Sequence, residues 1–155
     1  TTWNRLIIGI RSTVNGIWGS GPNDIWAVGQ GGTMLHYDGK RWDSVSSGTL
    51  VDLYDVWGSS ARDLWAVGAS GSLLRYDGTA WSPLPSGVSS TLRGIWGSDG
   101  KNVVAVGDSG ALLRYDGLSW KPLVSGTSNT LRGVWGMDAS AVWAVGSGVI
   151  LRYRP

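Results

Sequence analysis

The chain has 155 residues, 42% of them hydrophobic, with no Cys and no Phe, so a disulfide framework and thiolate metal sites are excluded. Charge is sparse: 13 Lys plus Arg stand against 11 acidic residues, all Asp, for a formal +2, which excludes the strong basic field of a nucleic-acid or anionic-membrane binder. With 25 Gly and no apolar run near the ~18 residues of a spanning helix, the composition predicts a turn-rich soluble domain with no membrane span.

Trp18, Trp57, Trp96 and Trp135 stand 39 residues apart, each followed by Gly, and Trp3, Trp42, Trp81 and Trp120 keep the same period. Self-similarity at this period marks arrays whose single unit cannot bury its apolar faces alone. At the start of the chain, Trp3, Leu6 and Gly9 match Trp42, Val45 and Gly48 of the first complete unit. The last unit stops at Tyr153-Arg154-Pro155, short of its outer Trp, so the first nine residues are predicted to supply that missing strand.

The predicted units run 14–45, 53–84, 92–123, and 131–155 plus 1–9, together one domain over 1–155. In the first, Ile25-Trp26-Ala27-Val28 has no polar alternation, which predicts a strand covered on both faces. In the second, Pro83 follows the outer Trp, and because proline cannot donate to a ladder the Trp-x-Pro run belongs at an edge. The third shows the whole pattern: Leu92–Trp96, Val103–Val106, Ala111–Tyr115 and Ser119–Leu123 are strand-sized, and the segments between them are rich in Gly, Asp, Ser and Asn. Each unit is thus an antiparallel four-stranded meander, and the fold class is an all-β propeller of four blades per chain with the N-terminal strand closing the last blade. Closure within one chain gives a four-bladed monomer. Exchange between two chains gives an eight-bladed homodimer, which the wide splay demanded of only four short blades favours.

The segment Ala66-Val67-Gly68-x-x-Gly71-x-Leu73-Leu74-x-Tyr76-Asp77-Gly78-x-x-Trp81 resembles the bacterial BNR or Asp-box propellers, including the photosystem II assembly-factor type. In the Asp box one residue separates Asp from Gly, whereas Asp38-Gly39, Asp77-Gly78 and Asp116-Gly117 are adjacent here. The resemblance implies a propeller, an extracytoplasmic or secreted location, and binding or assembly roles, with sialidase-like enzymes a minority.

Enzymatic chemistry finds few residues to use. Asp38, Asp77 and Asp116 recur in one turn, where a carboxylate accepts backbone N–H groups, and a catalytic acid would not be expected in three copies. His36 is the only histidine, in a strand position occupied elsewhere by Arg75, Arg114 and Arg152, so a triad or a histidine metal site would have to use it. The Gly68-Ala69-Ser70-Gly71 type of element joins two strands and offers no helix terminus for phosphate. Most of the Trp residues occupy equivalent packing positions, as the acceptance of Val104 in the ladder Trp26, Trp65, Trp143 indicates. No cofactor and no metal are expected.

Where the repeat varies, a specific site can be written. Three residues before each inner Trp stand Asn15, Tyr54, Arg93 and Arg132, and the turns between second and third strands carry Gln30, Ala69 and Asp108. On a propeller both sets surround the mouth of the central channel. The functional expectation is therefore a non-enzymatic module that binds a protein partner through Asn15, Tyr54, Arg93, Arg132, Gln30 and Asp108. The alternatives are a multivalent glycan-binding lectin and a remnant of a sialidase-like hydrolase.

Overall fold

The computed structural model describes residues 1–6 and 8–154, and within these it is all β apart from three short turns. The first sheet holds β1 (Val14–Gly21), β2 (Asp24–Gly29), β3 (Met34–Tyr37) and β4 (Trp42–Ser44). The second holds β5 (Leu53–Ser60), β6 (Asp63–Gly68), β7 (Leu73–Tyr76) and β8 (Trp81–Pro83), and the third β9 (Leu92–Asp99), β10 (Asn102–Gly107), β11 (Leu112–Tyr115) and β12 (Trp120–Pro122). The fourth has only β13 (Leu131–Gly136), β14 (Val142–Gly146) and β15 (Val149–Arg152). Every pairing is antiparallel and joins strands in chain order, as the meander predicts.

The blades stack face to face, with β1, β5, β9 and β13 side by side in that sequence along the inner edge. Close approach there depends on glycine. A Cβ on Gly97 would lie 2.5 Å from the Trp57 indole, and one on Gly136 would lie 2.6 Å from that of Trp96, so the inner Trp of each of the first three blades packs against a glycine of the next blade. Between blades one and two the core is Trp26, Val28 and Met34 against Leu53, Leu64, Leu74 and Trp81. Between blades two and three it is Trp65, Val67 and Leu73 against Leu92, Val103, Leu113 and Trp120. The two interfaces are built from equivalent residues 39 positions apart, as the repeat requires. Trp65, fully buried, stands 5.3 Å edge-on from Trp120 and 4.9 Å from Tyr115.

The expected closure by the N-terminal strand is not made within the single chain. Residues 1–6 join no sheet, Trp3 is fully exposed, and the fourth blade keeps three strands. The reason is geometric: the four blades form an open arc, and the segment leading into β1 lies at the end opposite β15. Ile7 and Pro155, both inside the predicted fourth blade, lie outside the described residues.

Candidate functional site

The four variable residues share a backbone feature that the repeat alone does not reveal. In each blade the register of the first strand against the second slips by one residue near its start, between Val14 and Gly16, Leu53 and Asp55, Leu92 and Gly94, and Leu131 and Gly133. The skipped residues are Asn15, Tyr54, Arg93 and Arg132. A bulge leaves one residue out of the ladder and re-aims its side chain, a device common beside functional sites. Each bulge adjoins the turn between second and third strands of its own blade: the N–H groups of Gln30, Ala69, Asp108 and Ser147 donate to the carbonyls of Thr13, Asp52, Thr91 and Thr130 at 2.8–2.9 Å. Turns and bulges therefore share one face around the inner strands.

Three of the six sequence-predicted residues meet there directly. Arg93 donates to Asp108 through Nε at 2.6 Å and Nη2 at 2.9 Å, a bidentate fork, and its guanidinium lies 5.3 Å from the Tyr54 ring centre. Arg93 thus ties a turn of its own blade to a bulge of the preceding one. Asp108 also accepts from Thr130 Oγ1 at 3.2 Å, a residue of blade four. The Arg93 hydrogen bonds, with the nearby charge of Arg132, hold the Asp108 carboxyl below the usual carboxylate range despite partial burial. Arg132 is exposed at the edge of this group, and its side chain makes no hydrogen bond or ion pair among the described residues. Two guanidinium groups against one carboxylate leave the cluster with an excess positive charge beside an aromatic ring.

Asn15 and Gln30 stand apart from that cluster. Asn15 Nδ2 donates to the Leu53 carbonyl at 2.8 Å, bracing blade one against blade two, and Gln30 is exposed. Sequence reasoning missed three contributors. Asp52 Oδ1 accepts the Gly31 N–H at 2.8 Å and Thr130 binds Asp108, each joining one blade's turn to the residue just before the next blade's first strand. Asp55 sits on β5 between two blades, accepting from Ile95 N–H at 3.0 Å and Val56 N–H at 2.9 Å. Burial pushes its carboxyl up, and those two donors only partly offset the shift. The signal for Asp55 was present: its counterparts Gly16, Gly94 and Gly133 are glycines.

The residues that enzymatic readings would use are engaged structurally. Asp38 Oδ1 accepts the N–H groups of Lys40 and Arg41 at 2.8 and 2.9 Å, Asp77 those of Thr79 and Ala80 at 2.8 and 3.0 Å, and Asp116 those of Leu118 and Ser119 at 3.0 and 2.9 Å. His36 stacks on Trp26 at 4.3 Å and meets Asp24 Oδ1 through Nε2 at 2.7 Å, while Ser20 donates to the other Asp24 oxygen. These are the residue types of a catalytic triad with the carboxylate in the middle, an order in which the imidazole cannot take the serine proton. Arg75 repeats the arrangement, 4.7 Å over Trp65 and 3.0 Å from Asp63. No group of three or more potential metal ligands occurs among the described residues.

No family model matches the sequence, and comparison with curated proteins gives no match. Solved structures do match. A structure of YCF48 bound to a D1 peptide superposes with a TM-score of 0.76 over 97% of this chain and 52% of that one, at 20% identity. YCF48 from Cyanidioschyzon merolae gives 0.75 over 92% and 51%, at 15% identity. The β-propeller domain of Myceliophteria thermophila Cps50 (Swd1) gives 0.64 over 86% and 49%, at 14% identity. The fold is that of a β-propeller. The chain spans about half the length of each of these structures.

Proposed function

We propose that this protein is a non-enzymatic propeller module that recognises a protein segment on the face formed by its bulges and adjoining turns. The observation that carries the reading is the Tyr54–Arg93–Asp108–Arg132 cluster, assembled from three blades, with Tyr54, Arg93 and Arg132 on bulges that leave them out of the ladders and Asp108 on the adjoining turn. The Arg93–Asp108 fork fixes the scaffold, Tyr54 supplies a rigid aromatic surface, and exposed Arg132 supplies a cation for an acidic group of the ligand. That one structural neighbour is YCF48 bound to a D1 peptide supports a peptide ligand, on fold likeness alone. A multivalent lectin is the weaker reading, because the four bulge residues all differ from blade to blade or lie in different surroundings, and the repeated Trp26 and Trp65 are buried.

The test is binding of a displayed peptide library, with calorimetry on the selected sequences and a glycan array in parallel. Acidic peptides should be enriched with one site per chain. Arg132→Glu should weaken them at least tenfold while leaving thermal stability unchanged, since Arg132 is exposed. Enrichment indifferent to Arg132 and Tyr54 would remove the proposed face, and several glycan sites per chain would favour the lectin.

A further inference from the structure

The junction between the inner strands of blades two and three is built differently from those on either side. In β1 and β9 the residue after the bulge is glycine, Gly16 and Gly94, and in β5 it is Asp55. Both glycines sit against the bulge of the next blade. A Cβ on Gly16 would lie 2.9 Å from the Tyr54 carbonyl oxygen and 2.8 Å from the Asp55 Cα, and one on Gly94 would lie 3.3 Å from the Arg132 carbonyl oxygen. At the junction of β5 with β9 a carboxylate takes this position instead. It is also the junction at which consecutive bulge residues touch, the Arg93 guanidinium lying 5.3 Å from the Tyr54 ring centre.

The carboxylate spans the two strands. Its Oδ1 accepts the Val56 N–H at 2.9 Å and its Oδ2 the Ile95 N–H at 3.0 Å. Val56 stands two residues beyond Tyr54 and Ile95 two residues beyond Arg93, so one side chain fixes both strands at the same step past their bulges. The bond to Ile95 is the only hydrogen bond between β5 and β9 among the described residues. The other ties of the cluster run elsewhere: the Arg93–Asp108 fork lies within blade three, and Thr130 joins Asp108 to blade four. Neither holds Arg93 over a ring of blade two. A guanidinium is attracted to a ring face only within about 6 Å of its centre, so at 5.3 Å a slip of about 1 Å between β5 and β9 loses the contact.

We infer that Asp55 is the positioning residue of the ligand face: its ionised carboxylate locks β9 to β5 so that Arg93 lies over Tyr54, and loss of its charge releases the pair. The inference rests on the reading of that face as a peptide site, and it adds a regulator to it. Hydrogen bonds to an ionised acceptor are roughly twice as strong as neutral ones, so protonation weakens the lock. No charged side chain faces Asp55 from the elements packed around it. β1 and the turn Gln30–Gly32 carry none. β6 has only Asp63, at its far end and paired with Arg75, while on β9 Arg93 is forked to Asp108 and Asp99 caps the turn at the opposite end. Burial therefore dominates and raises the carboxyl above its ordinary 3.8, so the lock opens as pH falls through a value higher than that of an exposed Asp. The ionised form costs stability and orders the site.

Two variants test this. Asp55→Gly installs the residue found at the equivalent position of the other three blades, so it should fold, and Asp55→Asn keeps the shape without the titration. In heteronuclear NMR spectra of the labelled chain, the Ile95 amide should move as pH falls from neutrality toward 3.8, and in Asp55→Asn it should stay still. In Asp55→Gly the Arg93 side-chain methylene next to the guanidinium should lose its ring-current shift from Tyr54, while the Arg93 Nε–H signal of the Asp108 fork persists. Calorimetry with a short Asp-rich peptide should give an affinity about two- to fivefold lower for Asp55→Gly than for the parent at neutral pH, the worth of one exposed cation–π contact. An Ile95 amide that does not titrate, an Arg93 ring-current shift retained in Asp55→Gly, or equal peptide affinities of parent and variant would each overturn the role of Asp55. The spectra need no ligand. A peptide that binds neither parent nor variant therefore strikes the ligand reading alone, and the Arg93 and Ile95 signals still decide whether Asp55 positions the pair.

Discussion

Trp65 shows how far one residue type governs this core. With no Phe in the chain, indoles carry most aromatic burial, and Trp65 is enclosed by Tyr115, Trp120 and the Arg75 guanidinium. Trp65→Ala is expected to cost about 3–5 kcal/mol in chemical denaturation, through lost transfer energy and the cavity left behind. The turn carboxylates act through a different term. Hydrogen bonds from the Thr79 hydroxyl and the N–H groups of Ala80 and Thr79 lower the Asp77 pKa from 3.8 to about 2. A carboxyl depressed in the folded state contributes stability that is present above its unfolded value and is lost as pH falls through the folded one. The thermal midpoint should therefore drop between about pH 4 and pH 2, and Asp77→Asn should make that acid limb shallower. Asp55 acts in the opposite sense. Its raised pKa means its contribution is fully present below 3.8 and declines as pH rises through the folded value.

At the scale of the strand and turn, one glycine in each complete blade decides whether the outer loop can dock. Gly71 has φ +69°, and a Cβ there would lie 2.0 Å from the Val88 carbonyl oxygen and 3.0 Å from the buried Ser86 hydroxyl. Gly32 and Gly110 meet Thr49 and Thr127 in the same way. Gly71→Ala should destabilise by more than about 1 kcal/mol in urea titration, because the turn can neither adopt the angle with a side chain nor keep the loop in place. Gly21→Ala is the control: its Cβ would meet nothing within 4 Å, so the midpoint should hardly move. The strands themselves were legible from short apolar runs and turn residues, and Pro83 and Pro122 do lie in edge strands. The bulges were not, because a one-residue slip against β2, β6, β10 or β14 changes no residue type in a readable way.

At the scale of the molecule, the eight-bladed homodimer expected from the sequence would link association to stability. A ring completed by strand exchange should have a thermal midpoint that rises with chain concentration, since assembly draws on the folded state by mass action. A concentration-independent midpoint by calorimetry would indicate that the arc is stable alone. The period of 39 residues, the four strand-sized runs and the Trp ladders determined the blade, the number of blades and the face on which variation falls, because a repeated pattern of burial has few packed solutions. The sequence also showed Trp3 to be in step with the outer Trp ladder and assigned its strand to the fourth blade, but it could not say whether that closure is made within one chain. Tertiary structure alone decided that the arc stays open within one chain and that Arg93 meets Asp108 and Tyr54. The reason is physical: pattern specifies what one blade buries, whereas the angle between blades, and hence what the ends can reach, comes from summed contacts across faces that no single repeat contains.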